Sequence, residues 1–353
     1  MTSTPPLAAL PAPRDPDPRS APVLGWGVLA PGWIAGNFAR ALTTRTDQRL
    51  VAVDSRDAAK AAAFAAEHGA ARSYGSYAGV LEDPQVDVVY IASPHSQHRE
   101  HALAAIAAGK HVLVEKPMAR NASEAREIAA AGRAAGVLVM EAMWTRYLPR
   151  TDVLRQLLED GALGDVRHVQ ADFGSRPTLA PGSRLLDPAL AGGVLLDIGV
   201  YPIAFASYVL RAAGLPWRPT LAVSGSVTST GVDEEVALQI AVPGAHAQVF
   251  TSMLTRSAQS ATVVGGLARA ELGPQFFAPG SLTVVGEDDA TLVWEDRSGI
   301  EGLDGLCYQA AALARYVADG RTESPLLGLE ESIAVLEVTD AARATLGVVY
   351  PGE

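Results

Sequence analysis

From Leu24 to about Glu141, short apolar runs alternate with stretches of helical periodicity. Leu24–Leu29, Leu50–Val53, Val86–Ala92, His111–Glu115 and Val137–Met140 are rich in valine and lack polar alternation. Such runs predict strands buried on both faces, as in a parallel sheet. Between them, Ile34, Phe38 and Leu42 recur every fourth residue, the spacing of one helix face. Ser55–His68 and Ser96–Ala108 run into Gly69 and Gly109, residues that end helices without steric cost. Asn121 and Glu124 have the spacing of a helix-opening capping pair. Repeated strand–helix–strand units predict a doubly wound parallel sheet, an α/β domain over residues 23–143.

After Trp144 the pattern changes. A helix is predicted at about Thr151–Glu159, followed by Val166–Phe173, Leu221–Val227, Glu235–Val242, Ala247–Leu254, Ala261–Val264 and Leu282–Val285. These segments are separated by glycine and proline rather than by helices. They predict an α+β domain over residues 144–353, built on a large, mostly antiparallel sheet. The segments Gly305–Gly320 and Gly328–Gly347 read as helices that can pack back on the first domain.

Composition narrows the function. A net charge of −11 argues against a nucleic-acid partner or an anionic membrane surface, both of which reward clustered Lys and Arg. No uninterrupted apolar run approaches the length of a membrane span. The lone Cys307 rules out an intramolecular disulfide framework and fits a reducing, cytoplasmic setting. Residues 1–22 carry seven prolines and no export signal, so they read as a disordered tail.

The strand ends carry the chemistry. The first strand runs into Ala30-Pro31-Gly32-Trp33-Ile34-Ala35, a degenerate form of the dinucleotide fingerprint with Ala30 in place of its first glycine. Gly32 keeps the position at which backbone approaches a pyrophosphate, and the following helix offers free N–H groups around Trp33 and Ile34. About twenty residues on, Ser55-Arg56 suits the 2′-phosphate of NADP. Asp54, one residue earlier, would suit the ribose diol of NAD, so both cofactors stay open, with NADP favoured. In such sheets the crevice opens between the first and fourth strands, where Ser93-Pro94-His95 and His98 fall. The fifth strand ends in Glu115-Lys116-Pro117, beside the reacting half of a nicotinamide.

Gly193 to Pro202 supplies the second signal. In a helix, Asp197 and Tyr201 share a face one turn apart, and Pro202 requires that helix to start near Asp197. Oxidation of an alcohol needs a base, and a phenol with a pKa of about 10 needs a nearby ammonium to serve at neutral pH. Lys116 is the candidate ammonium. Its neighbours make Lys116, Tyr201 and Asp197 the candidate catalytic set. His95, His98 and His101 recur every third residue, but no acidic or cysteine partner completes a metal site. Trp144, Phe173 and Phe277 are candidates to line a substrate cleft.

Together, Gly27–Ala35, Ser93-Pro94-His95 with His98, Glu115-Lys116-Pro117 and Asp197–Tyr201 resemble the Gfo/Idh/MocA oxidoreductases over about Leu24 to Tyr350. Met140–Arg146 and Gly193–Pro202 resemble its branch of dimeric dihydrodiol dehydrogenases and NADP-dependent D-xylose dehydrogenases. The resemblance implies a Rossmann domain and a second domain whose open sheet face is buried in a homodimer or homotetramer. It implies that Lys116 hydrogen-bonds the reacting hydroxyl beside a cis Lys–Pro peptide, with Tyr201 as acid/base where much of the family has histidine. It also brings Trp144 and Arg146 to the cofactor. The substrate implied is a sugar, polyol or dihydrodiol. Two other readings stand beside it: a sugar-to-sugar oxidoreductase that keeps its NADP, and a cofactor-binding regulator without catalysis.

Overall fold

Strands form where the apolar runs lie. The computed structural model describes residues 9–14, 16–180 and 182–353. Its first sheet comprises β1 (Gly25–Leu29), β2 (Arg49–Asp54), β3 (Arg72–Tyr74), β4 (Val88–Ile91), β5 (His111–Glu115) and β6 (Val139–Ala142). All neighbours are parallel, in the order β3-β2-β1-β4-β5-β6. Every residue of β1, β4 and β6 is buried, as two-sided helix packing requires. Strand β3 has no counterpart in the apolar pattern, because its Arg-Ser-Tyr is an edge segment with no fully buried residue.

The crossovers are α1 (Trp33–Arg45), α2 (Ala58–His68), α3 (Ala78–Glu82), α4 (His98–Ala107) and α5 (Ala122–Ala135). Asn121 caps α5 as expected, its side chain accepting the Glu124 N–H at 2.9 Å. The order reverses direction between β1 and β4, so their carboxyl ends flank a crevice.

Helix α6 (Pro149–Glu159) leads into the second sheet: β7 (Val166–Gly174), β8 (Thr220–Val227), β9 (Asp233–Val242), β10 (Ala245–Ser252), β11 (Ala261–Gly265), β12 (Ala268–Leu272), β13 (Leu282–Gly286) and β14 (Thr291–Trp294). The order is β14-β13-β12-β11-β7-β10-β9-β8, antiparallel except for the β7–β10 pair. Strands β12 and β14 escape the sequence pattern because alanine, arginine and glutamate dilute the first and the second is a four-residue edge. Buried and exposed residues alternate along β9 and β10, so one face packs and the other stays open. Helix α7 (Val200–Ala212), buried at nearly every position to Leu210, covers the packed face.

Helices α8 (Leu306–Ala318) and α9 (Leu329–Leu346) return to the first sheet. Leu306, Cys307 and Leu313 join Trp26, Phe38 and Leu42 in one core, and Leu329, Ile333 and Leu336 join Ile128 in another. Among the described residues one stretch, Pro188–Ala212, is long and apolar enough to cross a membrane by length and composition, although Asp197 and Arg211 interrupt its apolar run. Most of its apolar window is buried in the protein's own core.

The tail also differs from expectation over the part the structure describes. Arg14 donates through its backbone N–H (2.6 Å) and its guanidinium (3.0 Å) to Asp152 on α6. Ala12 accepts from Gln156, and Ala21 packs against Ala311 and Ala314. Prolines have little backbone entropy to lose, so few contacts suffice to order such a segment. Residues 1–8 and 15 lie outside the described residues.

Candidate active site

Carboxyl ends of β1, β2, β4 and β5, the start of α7 and the ends of the second sheet enclose a cavity of about 630 Å³. Ala30, Gly32, Trp33, Ile34, Ser55, Arg56, Ser93, Pro94, His95, His98, Glu115 and Lys116 all reach it, as the strand-end reading expects. So do Trp144, Phe173, Asp197, Tyr201 and Phe277 from the second half of the chain.

Ala30 occupies the left-handed region (φ 62°), the conformation that the replaced glycine of the fingerprint would take at lower cost. Gly32 has ordinary extended φ (−113°), and an added Cβ would meet nothing nearer than the Ala30 carbonyl at 4.0 Å. Neither backbone conformation nor internal packing therefore demands glycine there. Space for a ligand's close approach does. The N-terminus of α1 has no side-chain cap, so its N–H groups and positive dipole end suit a pyrophosphate. At the adenosine end Arg56, just ahead of α2, is joined by Lys60 in the first turn of that helix. Asp54 does not compete with them. It is fully buried, points at the Val80 N–H (3.4 Å), and burial pushes its carboxyl up to about 6. These residues fit a nicotinamide dinucleotide, which when bound would supply the hydride acceptor.

At the opposite side of the crevice, the Lys116–Pro117 peptide is cis. Lys116 Nζ donates to the backbone carbonyl of Asp197 and lies 4.9 Å from the centroid of the Tyr201 ring. The Tyr201 hydroxyl accepts a hydrogen bond from Trp144 Nε1 at 3.1 Å. Burial lowers the Lys116 pKa, opposed by the carboxylates of Asp197 and Glu115. Burial also raises Tyr201 above its ordinary value, aided by the negative charge of Glu115. Desolvation is the largest influence on the phenol, and Lys116 Nζ lies over the Tyr201 ring. Asp197 stays ionised, because Lys116 and Arg184 outweigh its burial. Helical structure starts close to Asp197, as Pro202 suggested. Leu195–Gly199 form a π-helical turn ahead of α7, so Asp197 sits in a widened turn.

Other side chains serve the scaffold. His98 Nδ1 and Nε2 face the carbonyls of Pro117 (2.8 Å) and Ser93 (2.9 Å), tying the β4 and β5 ends together. Burial drives its pKa down to about 4, so it is neutral and donates to one carbonyl at a time. His95 Nδ1 donates to the Ala191 carbonyl (3.2 Å), and His101 meets the Ser93 hydroxyl (3.0 Å). Arg146 does not reach the cavity. It is buried in an ion pair with Glu331, over the ring of Tyr208, because α7 and α9 supply partners that the crevice lacks. Phe173 and Phe277 stack at 4.1 Å and form an apolar wall beside Tyr201.

The sequence reading missed Lys60, Tyr77, Arg184, Leu303 and Leu306. Lys60 sits in the first turn of the helix that follows Ser55-Arg56. Arg184, whose guanidinium donates to Asp197 Oδ1 at 2.6 Å, carries no spacing signal, since a loop delivers it.

Comparison with known proteins agrees with the fold. The model of the oxidoreductase family with an NAD-binding Rossmann fold, GFO_IDH_MocA, matches residues 24–143, and the GFO/IDH/MocA C-terminal domain matches residues 151–271. Trans-1,2-dihydrobenzene-1,2-diol dehydrogenase of Homo sapiens is 36% identical over 334 residues, 93% of this chain and 98% of that protein. The enzyme of the same name from Macaca fascicularis is 35% identical over 333 residues, again 93% and 98%. Among solved structures, an aldose-aldose oxidoreductase from Caulobacter crescentus complexed with glycerol superposes with a TM-score of 0.79 at 26% identity, covering 92% of this chain and 98% of that one. A 3-ketoreductase from Actinomadura kijaniata, in complex with NADP and TDP-benzene, gives 0.78 at 26%, with the same coverage. The chain belongs to the Gfo/Idh/MocA oxidoreductase family and is an NAD(P)-dependent dehydrogenase.

Proposed function

We propose that this dehydrogenase acts on a secondary hydroxyl of a cyclic diol or an aldose and prefers NADP. The observation that carries the reading is the convergence of Lys116, Tyr201 and Asp197 in the cavity whose other end presents Gly32, Arg56 and Lys60. Lys116 and Tyr201 act as one proton-transfer unit. Burial shifts the amine down and the phenol up, so the pair and not either member sets the pH range of turnover. Trp144 holds the phenol oxygen in place, and the stacked Phe173 and Phe277 exclude water from one side of the substrate. Two cations at the adenosine end support the choice of NADP, since each can pair with a 2′-phosphate.

The test is NADP⁺ reduction against aldopentoses, aldohexoses and trans-dihydrodiols, repeated with NAD⁺. Turnover of at least one class, faster with NADP⁺, is expected. NADPH binding without turnover on any of them overturns the reading in favour of a cofactor-binding regulator. A second reading, a sugar-to-sugar oxidoreductase, is favoured by the likeness to the aldose-aldose oxidoreductase. It requires cofactor that copurifies and resists dialysis.

The open face of the second sheet supports a homodimer or homotetramer. Its hollow of about 500 Å³ is lined mostly by uncharged side chains, among them Ala222, Ser224, Ala237, Gln239, Gln248 and Phe250, with Asp172 the one carboxylate. An unpartnered sheet face whose hollow is mostly uncharged is suited to a second copy. A monomer in sedimentation analysis would refute that.

A further inference from the structure

Arg184 is half exposed, in the connection between β7 and α7, and its guanidinium reaches into the cavity. Its loop is folded tightly against the approach to the catalytic helix. The Gly193 N–H donates to the Leu185 carbonyl (2.9 Å), and a Cβ on Gly192 would lie 2.6 Å from the Arg184 carbonyl. The arginine is thereby delivered to Asp197, donating to Oδ1 at 2.6 Å. Asp197 thus faces two cations: its backbone carbonyl accepts from Lys116 and its carboxylate from Arg184. The other carboxylate oxygen and the remaining guanidinium N–H groups make no other hydrogen bond to the described residues.

An acceptor and a donor side by side match a hydroxyl, which both donates and accepts. Because both contacts belong to one residue, they fall within one residue's span of each other. A carbon whose hydroxyl meets Lys116 and Tyr201 therefore has its neighbouring carbon near Asp197 and Arg184. We propose that Arg184, paired with Asp197, is a specificity-determining residue that binds the hydroxyl adjacent to the one being oxidised, so that the site selects vicinal diols over monoalcohols. This rests on the reaction proposed above. An exposed ion pair that merely tethers a loop would be worth little and would not distinguish substrates.

The experiment compares trans-cyclohexane-1,2-diol with cyclohexanol as substrates of the wild type, Arg184→Ala and Arg184→Lys, with NADP⁺. For the diol, Arg184→Ala should lose roughly thirtyfold in kcat/KM, chiefly through KM, as expected for a lost charge-assisted hydrogen bond. On cyclohexanol, which has no second hydroxyl to lose, the same variant should lose at least about fivefold less than on the diol, any shared loss reporting the removal of a cation from Asp197. Arg184→Lys, which keeps the charge without the fork, should recover part of the diol activity. Equal losses on both alcohols, or no loss on either, overturn the role of Arg184 while leaving the dehydrogenase reading intact. Wild-type failure on every diol and sugar, with NADPH still bound, overturns the dehydrogenase reading and this inference together.

Discussion

The two halves of the cavity are built in different ways. On the Rossmann side, Gly32, Ser55, Ser93 and Lys116 sit where parallel strands end, so the sheet order alone brings them together. On the other side, Arg184, Asp197 and Tyr201 come from one loop and the helix it feeds, held by long-range contacts. His95 grips Ala191, Tyr350 donates to the Gly192 carbonyl (2.6 Å), and the buried Asp233 accepts the Leu195 N–H (2.6 Å). The first half is positioned by backbone topology, the second by buried side chains. Substitutions in the second should therefore disturb chemistry in ways no strand pattern reveals.

The strongest challenge to this contrast falls where the halves meet. Lys116→Met and Tyr201→Phe should each lower kcat by about 10²–10⁴-fold while leaving NADPH affinity within a few fold, read by steady-state kinetics and fluorescence titration. Unchanged kcat in either would remove that residue from the proton-transfer unit. Next comes Gly193→Ala. Gly193 has φ of 105°, and its Cβ would stand 2.4 Å from Asp233 Oδ1. A loss of about 2–4 kcal/mol in urea unfolding is expected, from backbone strain together with the clash. A loss below about 1 kcal/mol would show that the helix approach is soft rather than clamped.

On the Rossmann side the effects should be smaller and confined to the cofactor. Replacing Arg56 and Lys60 together by alanine should weaken NADPH binding by roughly tenfold or more and leave NADH within about twofold. Equal losses for both would place the cations away from a 2′-phosphate. The smallest effect concerns Asp54. Its carboxyl titrates near 6 in the fold against 3.8 as a free group, so the folded state holds its proton more tightly. That contribution is fully present below about pH 4 and is lost as pH rises through 6. Asp54→Asn should therefore gain about 1–2 kcal/mol at pH 8 and nothing at pH 4, by denaturation at both pH values. A gain independent of pH would contradict the buried-carboxylate account.

Much of the first half was legible because each strand is a continuous apolar run and its end is marked by the residues that follow. The segments missed there and beyond, β3, β12 and β14, are short or lie at edges, where little burial leaves little pattern. Arg146 misled for the opposite reason. It follows Trp144 closely in sequence, but Glu331 and Tyr208, distant along the chain, outcompete the crevice for its charge.

Alternation of apolar and helical segments was enough to determine the two-domain class, most strands of both sheets, the crevice between β1 and β4, and which strand ends face it, because side-chain period and strand order are local and topological properties. Which way Lys116 points, whether the phenol is raised or lowered, and that an arginine meets Asp197 were decided only by the tertiary structure. Hydrogen bonds and desolvation act over a few ångströms between residues far apart in the chain, and no spacing along the sequence encodes those distances.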